Sequence, residues 1–391
     1  MDFTFSLSSD LFNLLGLPLI LLTLKEVIPK WSRIWDKDVT LEDRRMLMRI
    51  VIFLALPVVV FVHELGHLLA ALQMGVRVYD FHYGPVTGHV NVDANIPPEQ
   101  SLWIAVAGNL AQVLLGFLCL GLATVIRQTA WVVFLVYLGL FAIGDTVIFY
   151  AALSAASVYG DWSNIYQSPC KDLVKEIALV HAGLIGFVIY CMKGSAPRRW
   201  FTQKTMPGWY SRHQKALAAV KESPNLETYL ALQNSFLDAG LYKEAEDCLN
   251  EAEKFAQDSP VIAYAKAELE LSRGNTDKGL SIYEGIAHDE RVTSSMRAQV
   301  LYQMGDIWLF RRDTQRSLNY FDQASKMDPQ QGDARLQKAI LNASMGDFEG
   351  MEDDLKVLRE PETNWVFRRN RDSAEKEMEK LEHSLLQVRK R

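Results

Sequence analysis

A stretch of 26 residues without a single Lys, Arg, Asp, Glu or His, residues 101–126, constrains this chain more than any other feature of its sequence. A helix of about 20 apolar residues is long enough to cross the hydrocarbon core of a bilayer. Residues 11–24 form a shorter uncharged segment that contains Pro18 and indicates a weak span or an interfacial helix. Three further stretches are apolar apart from isolated polar residues: 46–72, 128–160 and 177–192. The sequence therefore predicts an all-α, multi-pass integral membrane core with about four or five transmembrane helices.

The second half of the chain has a different composition. Residues 1–200 carry 14 Lys and Arg with 15 Asp and Glu, whereas residues 201–391 carry 27 and 32, so the second half is predicted to be water-soluble. Neither half has the excess of basic residues that is typical of nucleic-acid binding. The four cysteines are too few and too scattered for a disulfide scaffold. No basic region precedes the first apolar segment, so we expect no cleaved signal peptide.

Basic residues indicate the orientation of the membrane helices. Residues 25–49 contain seven Lys and Arg, and four more follow the last apolar stretch within residues 193–204. The loops 76–100 and 161–172 contain one each. Short loops rich in Lys and Arg face the cytoplasm. We therefore expect the soluble C-terminal half to be cytoplasmic.

Residues 225–360 contain a short turn motif that recurs between helical segments. The motif recurs at spacings of 34, 38 and 34 residues, at Gly240, Gly274, Arg312 and Gly346. A period near 34 residues, with small residues where paired helices cross, resembles the tetratricopeptide repeat (TPR). The resemblance implies an α-solenoid of TPR-like repeats, whose concave surface binds a protein or peptide. Mostly small residues stand seven positions before each turn residue, at Gln233, Ala267, Gly305 and Ala339. Mostly small residues also stand five positions after it, at Ala245, Gly279, Ser317 and Met351. Large apolar residues stand nine positions after it, at Leu249, Tyr283, Phe321 and Leu355.

The apolar stretch 46–72 contains His63, Glu64 and His67 in the pattern His-Glu-x-x-His. On a helix, residues i and i+4 share one face, so both imidazoles could bind a single zinc ion. Glu64 would then lie beside the metal and could take a proton from zinc-bound water, whose pKa zinc lowers toward about 7. We therefore expect one Zn²⁺ per chain, with His63 and His67 as metal ligands and Glu64 as the catalytic base.

These three side chains could instead form hydrogen bonds within a helix bundle that holds no metal. Ionisable side chains are costly in apolar surroundings and need partners there, so their presence in a membrane segment indicates a functional site. The position of the motif therefore favours the metal site.

Two segments of the apolar half resemble the site-2 proteases, a family of intramembrane zinc metalloproteases. Residues 63–71 and 75–78 resemble the first catalytic helix of that family and the chain that leaves it. Residues 107–112 resemble its Ala-Gly-Pro-x-x-Asn segment, although Asn109 replaces the Pro and Gln112 stands where Asn is common. The resemblance covers roughly residues 47–190. It implies that Asn109 or Gln112 binds the substrate or the developing oxyanion.

A catalytic zinc site needs a third protein ligand and leaves a fourth position for water. The resemblance implies an Asp near the start of a later transmembrane helix, often within Asn-Pro-Asp-Gly or Leu-Asp-Gly, and this chain has neither motif. Asp161 is the preferred candidate, because it follows a long apolar segment and precedes the last one. Asp145 is the alternative third ligand, and His181 in the last apolar stretch is the least favoured.

Residues 79–95 combine aromatic and β-branched residues with Gly-Pro and Gly breaks, a pattern typical of a β-hairpin. The resemblance to site-2 proteases implies a membrane-associated hairpin that pairs with an unwound substrate strand. An ordinary exposed hairpin fits the pattern equally well. We expect His82 and His89 in this segment to be solvated or interfacial and not metal ligands.

The expected function is that of a zinc-dependent endopeptidase that cleaves a membrane-anchored protein within or near its transmembrane segment. Its partners would be that transmembrane substrate, a protein or peptide on the TPR-like domain and the lipid bilayer, but no nucleic acid. The alternative is a proteolytically inactive membrane scaffold whose repeats recruit partners. The absence of the family's Asp motif favours this alternative.

The predicted segments are an N-terminal weak span and basic loop (1–46), a metalloprotease core (47–195), a linker (196–224), the TPR-like repeats (225–360) and a capping helix or tail (361–391).

Overall fold

The computed structural model of the chain describes residues 6–35, 39–157, 160–206, 208–360, 363 and 371–389. The chain divides into two compact units, Met1–Tyr210 and Ser211–Arg391. Each unit buries apolar clusters of its own. The boundary lies within the predicted linker 196–224, most of which is helical.

The first unit contains long apolar helices, several shorter helices and one hairpin. Two π-helical segments, Ile50–Ala55 and Asp145–Tyr150, each connect two α-helices. Two short helical turns, Ile28–Lys30 and Trp31–Ile34, follow the first helix. In chain order the elements are α1 (Ser6–Val27), α2 (Leu41–Arg49), α3 (Leu56–Gln73), β1 (Val78–Tyr83), β2 (Gly88–Val92), α4 (Pro98–Val125), α5 (Thr129–Gly144), α6 (Ala151–Ser157), α7 (Asp161–Gln167), α8 (Lys171–Lys193) and α9 (Ser195–Thr205).

Four helical stretches within the described residues are long and apolar enough to cross a membrane. They correspond to the four strong apolar stretches of the sequence. The weaker segment 11–24 lies in α1, which is not among them. The four stretches are Glu42–Gln73, Pro98–Val125, Thr129–Ala156 and Lys171–Lys193.

The helix that carries the two histidines begins at an interruption caused by a proline. Before it, Thr40 caps α2: its hydroxyl accepts a hydrogen bond from the Asp43 N–H at 3.2 Å, and the Asp43 carboxylate accepts one from the Thr40 N–H at 2.9 Å. Pro57, in the first turn of α3, has no N–H to donate, so regular helical hydrogen bonding cannot pass through it. The π-helical segment Ile50–Ala55 absorbs this break, and the chain continues as one long helical stretch.

The predicted hairpin is present as β1 and β2, a two-stranded antiparallel sheet in which His82 pairs with His89. The sheet packs against α3. The Tyr83 hydroxyl donates a hydrogen bond to the Pro57 carbonyl at 2.8 Å. The Phe61 ring makes edge contacts with the rings of Phe81 and Tyr83, with centroids 6.4 Å and 5.4 Å away. These contacts hold the hairpin against the helix that carries the two histidines.

The second unit is a succession of helices in which each helix from α11 to α18 packs against the next. Small residues permit close approach of the paired helices, and large apolar residues fill the space between them. The helices are α10 (Trp209–Glu222), which begins just before the unit boundary, α11 (Leu226–Asp238), α12 (Tyr242–Glu253), α13 (Pro260–Ser272), α14 (Thr276–His288), α15 (Ser294–Phe310), α16 (Thr314–Met327), α17 (Gly332–Met345), α18 (Phe348–Leu358) and α19 (Arg371–Arg389).

The four turn positions found in the sequence share one backbone conformation. Gly240, Gly274, Arg312 and Gly346 all have positive φ, between 63° and 86°. In each case the N–H of the following residue donates to the carbonyl five residues earlier, for example from Asp313 to the Trp308 carbonyl at 3.0 Å. This hydrogen bond belongs to a helix C-terminus of the Schellman type. The repeated turn motif is therefore a repeated backbone turn.

The side chains that the repeat pattern placed between helices are buried. Tyr283 and Phe321 are fully buried at the large positions, and Ala245 and Ser317 at the small positions. At the end of the unit, α19 packs against α17 and α18 through Met378 and neighbouring apolar side chains. Residues 361–362, 364–370 and 390–391 of the predicted C-terminal tail lie outside the described residues.

Candidate metal centre

His63 and His67 lie on consecutive turns of α3 and face the same side of the helix. Their Nε2 atoms are 3.1 Å apart, and each residue is only 7% exposed. Two imidazole nitrogens this close can serve as two ligands of one metal ion. The two imidazoles thus lie together on one helical face, and their role as metal ligands stays a prediction.

Asp161 completes this group from a distant part of the chain. Its Oδ2 atom lies 2.9 Å from His63 Nε2 and 3.1 Å from His67 Nε2. Asp161 is the first residue of α7, and Gly160 before it has a φ of 106°, a conformation that L side chains rarely adopt. Trp162 and Ile165 of α7 are buried against Leu102 and Ala105 of α4, which fixes the position of the Asp161 backbone.

The separations of the three ligand atoms fit a zinc ion. Tetrahedral zinc with bonds of about 2.0 Å places its ligand atoms about 3.3 Å apart. The three distances among His63, His67 and Asp161 are 2.9, 3.1 and 3.1 Å. Two imidazoles and a carboxylate are also a ligand set that zinc prefers. These three residues could therefore hold a metal ion and leave a fourth position for water.

The other two candidates for the third ligand lie elsewhere. Asp145 Oδ2 accepts a hydrogen bond from Gln112 Nε2 at 2.9 Å and is not part of the three-residue cluster. His181 is buried against Trp162, with ring centroids 3.8 Å apart, and its ring nitrogens contact the Tyr166 hydroxyl and the Val147 carbonyl, each at 2.7 Å. The geometry therefore favours Asp161, while its role as a ligand stays a prediction.

The second nitrogen of each imidazole is held by an oxygen acceptor. His63 Nδ1 lies 3.0 Å from Gln112 Oε1, and His67 Nδ1 lies 2.7 Å from the Ile104 carbonyl oxygen. Both acceptors require the proton on Nδ1, which leaves the Nε2 lone pairs directed at the cluster. Partners of this kind orient histidine ligands and set their tautomer. The sequence identified Gln112 for a different role and gave no indication of Ile104.

Close approach of α3 and α4 depends on a glycine. A Cβ atom at Gly108 of α4 would lie 2.3 Å from His67 Nε2, closer than any side chain could come without displacing the imidazole. Gly108 belongs to the segment 107–112 that the sequence singled out. Its contribution is the space for His67.

Glu64 lies between the two histidines in sequence and is 6% exposed. The hairpin covers it: a Cβ at Gly88 of β2 would lie 2.5 Å from Glu64 Cγ and 3.0 Å from Glu64 Oε1. The carboxyl group therefore lies in a confined space beside the residues that could hold a metal ion. A carboxylate in such a place can exchange protons with a water in the fourth ligand position.

Asn109 and Gln112 are both engaged within the protein. The Gln112 amide nitrogen donates to the Ala142 carbonyl at 3.0 Å and to Asp145 at 2.9 Å. The Asn109 amide nitrogen donates to the Ala105 carbonyl at 3.1 Å. The Asn109 side-chain oxygen accepts from the Thr146 hydroxyl at 2.6 Å. An oxyanion role for either residue stays a prediction, and for Gln112 it requires that existing bonds be broken.

Tyr150 is a member of the site that the sequence did not reveal. Its hydroxyl donates to Asp161 Oδ2 at 3.2 Å and accepts from the Asp161 N–H at 3.1 Å. It ends the π-helical segment that begins with Asp145. A tyrosine within an apolar span is common and gave no signal of this role. Only the fold reveals that Tyr150 holds the carboxylate beside the histidines.

Two histidines in a membrane-length helix, a carboxylate that reaches them from the short helix α7 and a buried glutamate together form a possible metal site of the kind that an intramembrane metalloprotease would need. The model of Peptidase family M50 matches residues 51–307, more than half of the chain. The chain therefore belongs to peptidase family M50. No curated protein matches it. Family membership and the four apolar helices identify a multi-pass membrane protein and support a site-2-protease-type intramembrane metalloprotease, of a family that typically uses zinc.

Proposed function

We propose that the chain is a zinc-dependent endopeptidase that cleaves a membrane-anchored protein within or near its transmembrane segment. The observation that carries the proposal is the convergence of His63, His67 and Asp161, with Glu64 buried beside them. Membership of peptidase family M50 supports the same reaction class. A purely structural metal site has no need of a glutamate in this position.

Each group of residues in the site has a separate role in the proposed reaction. A zinc ion bound by His63, His67 and Asp161 would polarise the scissile carbonyl and acidify a water molecule. Glu64 then accepts a proton from the attacking water and delivers it to the leaving amine. Gln112 and the Ile104 carbonyl hold the two imidazoles in the tautomer that such binding requires. The hairpin and the surrounding helices limit the access of bulk water.

The test measures zinc content and cleavage separately for the full-length protein in detergent or nanodiscs, with a co-expressed membrane substrate. Glu64→Gln should abolish cleavage and retain zinc, because the amide cannot accept the proton. Asp161→Asn should lose zinc as well as cleavage, because it weakens the third ligand. The control is Glu99→Gln, an exposed glutamate in the first turn of α4, which should behave as wild type. A wild-type protein that binds no zinc would contradict the proposal, and full activity of Asp161→Asn would transfer the ligand role to Asp145.

For the second unit we propose a TPR-like array that faces the cytoplasm and binds a protein or peptide, either the substrate itself or a regulator. Support comes from the 34-residue period, the four Schellman-type turns and the succession of packed helices. Basic residues 25–49 and 193–204 flank the four apolar stretches, and an even number of spans leaves both on one side.

Two measurements on the full-length protein test this proposal. Cysteine labelling of intact cells or vesicles should show that Asn234→Cys in α11 is accessible from the cytoplasmic side only. A photo-crosslinker at the same exposed position should capture a protein partner, whereas one at Leu179 in α8, 77% exposed within an apolar stretch, should capture lipid or a membrane protein. Labelling from the opposite side would overturn the orientation.

A further inference from the structure

The π-helical segment Asp145–Tyr150 carries three polar side chains that bond residues of α4 and α7. Asp145 bonds Gln112, Thr146 bonds Asn109, and Tyr150 bonds Asp161. A π-helical turn places residues five apart on one face, whereas a regular helix would rotate one of them away. Turns of this kind are concentrated at functional sites. The unusual helical geometry therefore brings Asp145 and Tyr150 to the same side.

The remainder of this segment is braced so that its geometry is fixed. Trp162 Nε1 donates a hydrogen bond to the Thr146 carbonyl at 2.8 Å, and His181 Nε2 contacts the Val147 carbonyl at 2.7 Å. Within a membrane, backbone groups freed by an irregular turn need such partners. The segment is thus held by α7 and α8 on one side and contacts α4 on the other.

Asp145 itself has no described contact with the ligand atoms, yet it is connected to His63 through one side chain. Asp145 Oδ2 accepts from Gln112 Nε2 at 2.9 Å, and Gln112 Oε1 lies 3.0 Å from His63 Nδ1. The Ala142 carbonyl, at the junction where α5 becomes π-helical, accepts the other amide hydrogen at 3.0 Å. Because the Gln112 amide nitrogen donates its hydrogens to Asp145 and to the Ala142 carbonyl, only the Gln112 Oε1 atom faces His63.

The orientation of this amide decides which nitrogen of His63 can bind a metal. With Oε1 toward the imidazole, Nδ1 carries the proton and Nε2 keeps its lone pair for the cluster. A flipped amide would present its N–H groups to Nδ1 and favour the tautomer with the proton on Nε2, which cannot bind a metal.

We propose that Asp145 is a positioning residue that acts through Gln112 to hold His63 in the metal-binding tautomer. The inference rests on the proposed zinc site and adds to it a buried carboxylate that the ligand set does not use. It also accounts for an acidic side chain in a long apolar stretch, where a carboxylate without a function would be costly.

The test uses the full-length protein and measures its affinity for zinc alone by competition with a chelator. Asp145→Leu should weaken zinc binding about tenfold, and Gln112→Leu by about 10- to 100-fold, as is typical of outer partners of ligating histidines. Asp145→Asn keeps an acceptor for the Gln112 amide and should retain most of the affinity. The double variant Asp145→Leu/Gln112→Leu should bind zinc no more weakly than Gln112→Leu alone, because both changes act on one path.

A second readout separates positioning from a general loss of stability. The thermal unfolding of the zinc-free variants and the visible spectrum of bound Co²⁺ should be recorded in parallel. Thr146→Val is the matched control, because Thr146 lies in the same segment, is fully buried and bonds Asn109, which has no described bond to the histidines. It should lower stability without changing zinc affinity or the Co²⁺ spectrum.

Each outcome decides one question. Wild-type zinc affinity in Asp145→Leu, or losses that add fully in the double variant, would overturn the positioning role while leaving the protease proposal intact. Absence of zinc from the wild type would overturn the proposed function itself. Should Asp145→Leu not fold, Asp145→Ala serves the same purpose without added bulk.

Discussion

The backbone of Gly108 lies directly against the His67 imidazole, with a hypothetical Cβ 2.3 Å from Nε2 and 2.4 Å from Cε1. No real Cβ occupies such a position, so any larger residue must move the imidazole or separate the two helices. Helix crossings in membranes commonly use small residues for this purpose. In this protein the same small residue also sets the position of His67, a member of the possible metal site.

Gly108→Ala should therefore weaken zinc binding by at least about tenfold, because His67 can no longer occupy its position. Chelator competition on the purified full-length protein measures the effect. Gly121→Ala on the same helix is the control, since a Cβ there meets nothing within 4 Å. Equal zinc affinity in the two variants would contradict the steric role of Gly108.

Tyr150→Phe should lower zinc affinity about tenfold while leaving the fold intact. The change removes the hydroxyl that donates to Asp161 Oδ2 and accepts the Asp161 N–H, so the carboxylate loses its alignment with the histidines. Tyr137→Phe in the same span is a suitable control, because the Tyr137 ring packs against Phe201, away from the cluster. A larger effect for Tyr137→Phe than for Tyr150→Phe would be incompatible with this account.

Gln233→Met should stabilise the second unit by about 1–2 kcal/mol, because both polar atoms of the buried Gln233 amide lack a described hydrogen-bond partner. Methionine has a similar length and no amide to desolvate. Thermal or urea unfolding of the full-length protein, followed by a probe in the second unit, reports the change. Gln315→Met on the exposed face of α16 should stay within about 0.5 kcal/mol of wild type. Destabilisation by Gln233→Met would point to a hydrogen bond that the amide makes in solution.

Arg312→Gly should stabilise the third turn of the repeats by about 0.5–1 kcal/mol. Arg312 has a φ of 63°, a conformation that costs an L residue energy and glycine almost none, and its side chain is exposed. Gly274→Ala is the converse change at the equivalent turn, where φ is 86° and a Cβ would meet nothing within 4 Å. It should destabilise by about 1 kcal/mol. Chemical unfolding measures both effects. If Arg312→Gly and Gly274→Ala changed the free energy of unfolding in the same direction, the backbone explanation would be ruled out.

Much of the site could be predicted because the chemistry depends on local spacing. The i, i+4 relationship of His63 and His67 holds on any helix, and a buried glutamate between them has few other uses in a membrane. The sequence favours Asp161 over Asp145 because of its order along the chain and because the small and polar residues 151–160 before it could line a cavity. The choice could not be firmer, because the contact joins residues 98 positions apart.

The unpredicted parts depend on helical geometry that composition does not encode. Tyr150 reaches Asp161 through a π-helical turn, and the Ile104 carbonyl reaches His67 only because two helices approach closely at Gly108. The sequence singles out Gln112 as a substrate or oxyanion candidate, which stays a prediction, whereas its described bonds direct its nitrogen toward Ala142 and Asp145. In the second unit the repeated sequence motif predicted the turns well, because each turn requires positive φ and glycine supplies it at three of four positions.

The position of Asp161 also bears on when the protein becomes chemically competent during its synthesis. His63 precedes it by 98 residues, so the two histidines are made and enter the membrane well before their carboxylate partner exists. The segment Asp145–Tyr150, which supplies the hydroxyl that aligns that carboxylate, also emerges after the histidines. A nascent chain that carries only the first two long helices therefore holds an incomplete ligand set. If His63, His67 and Asp161 form the proposed ligand set, that set is complete only once the third long helix has been made and α7 has docked beside it.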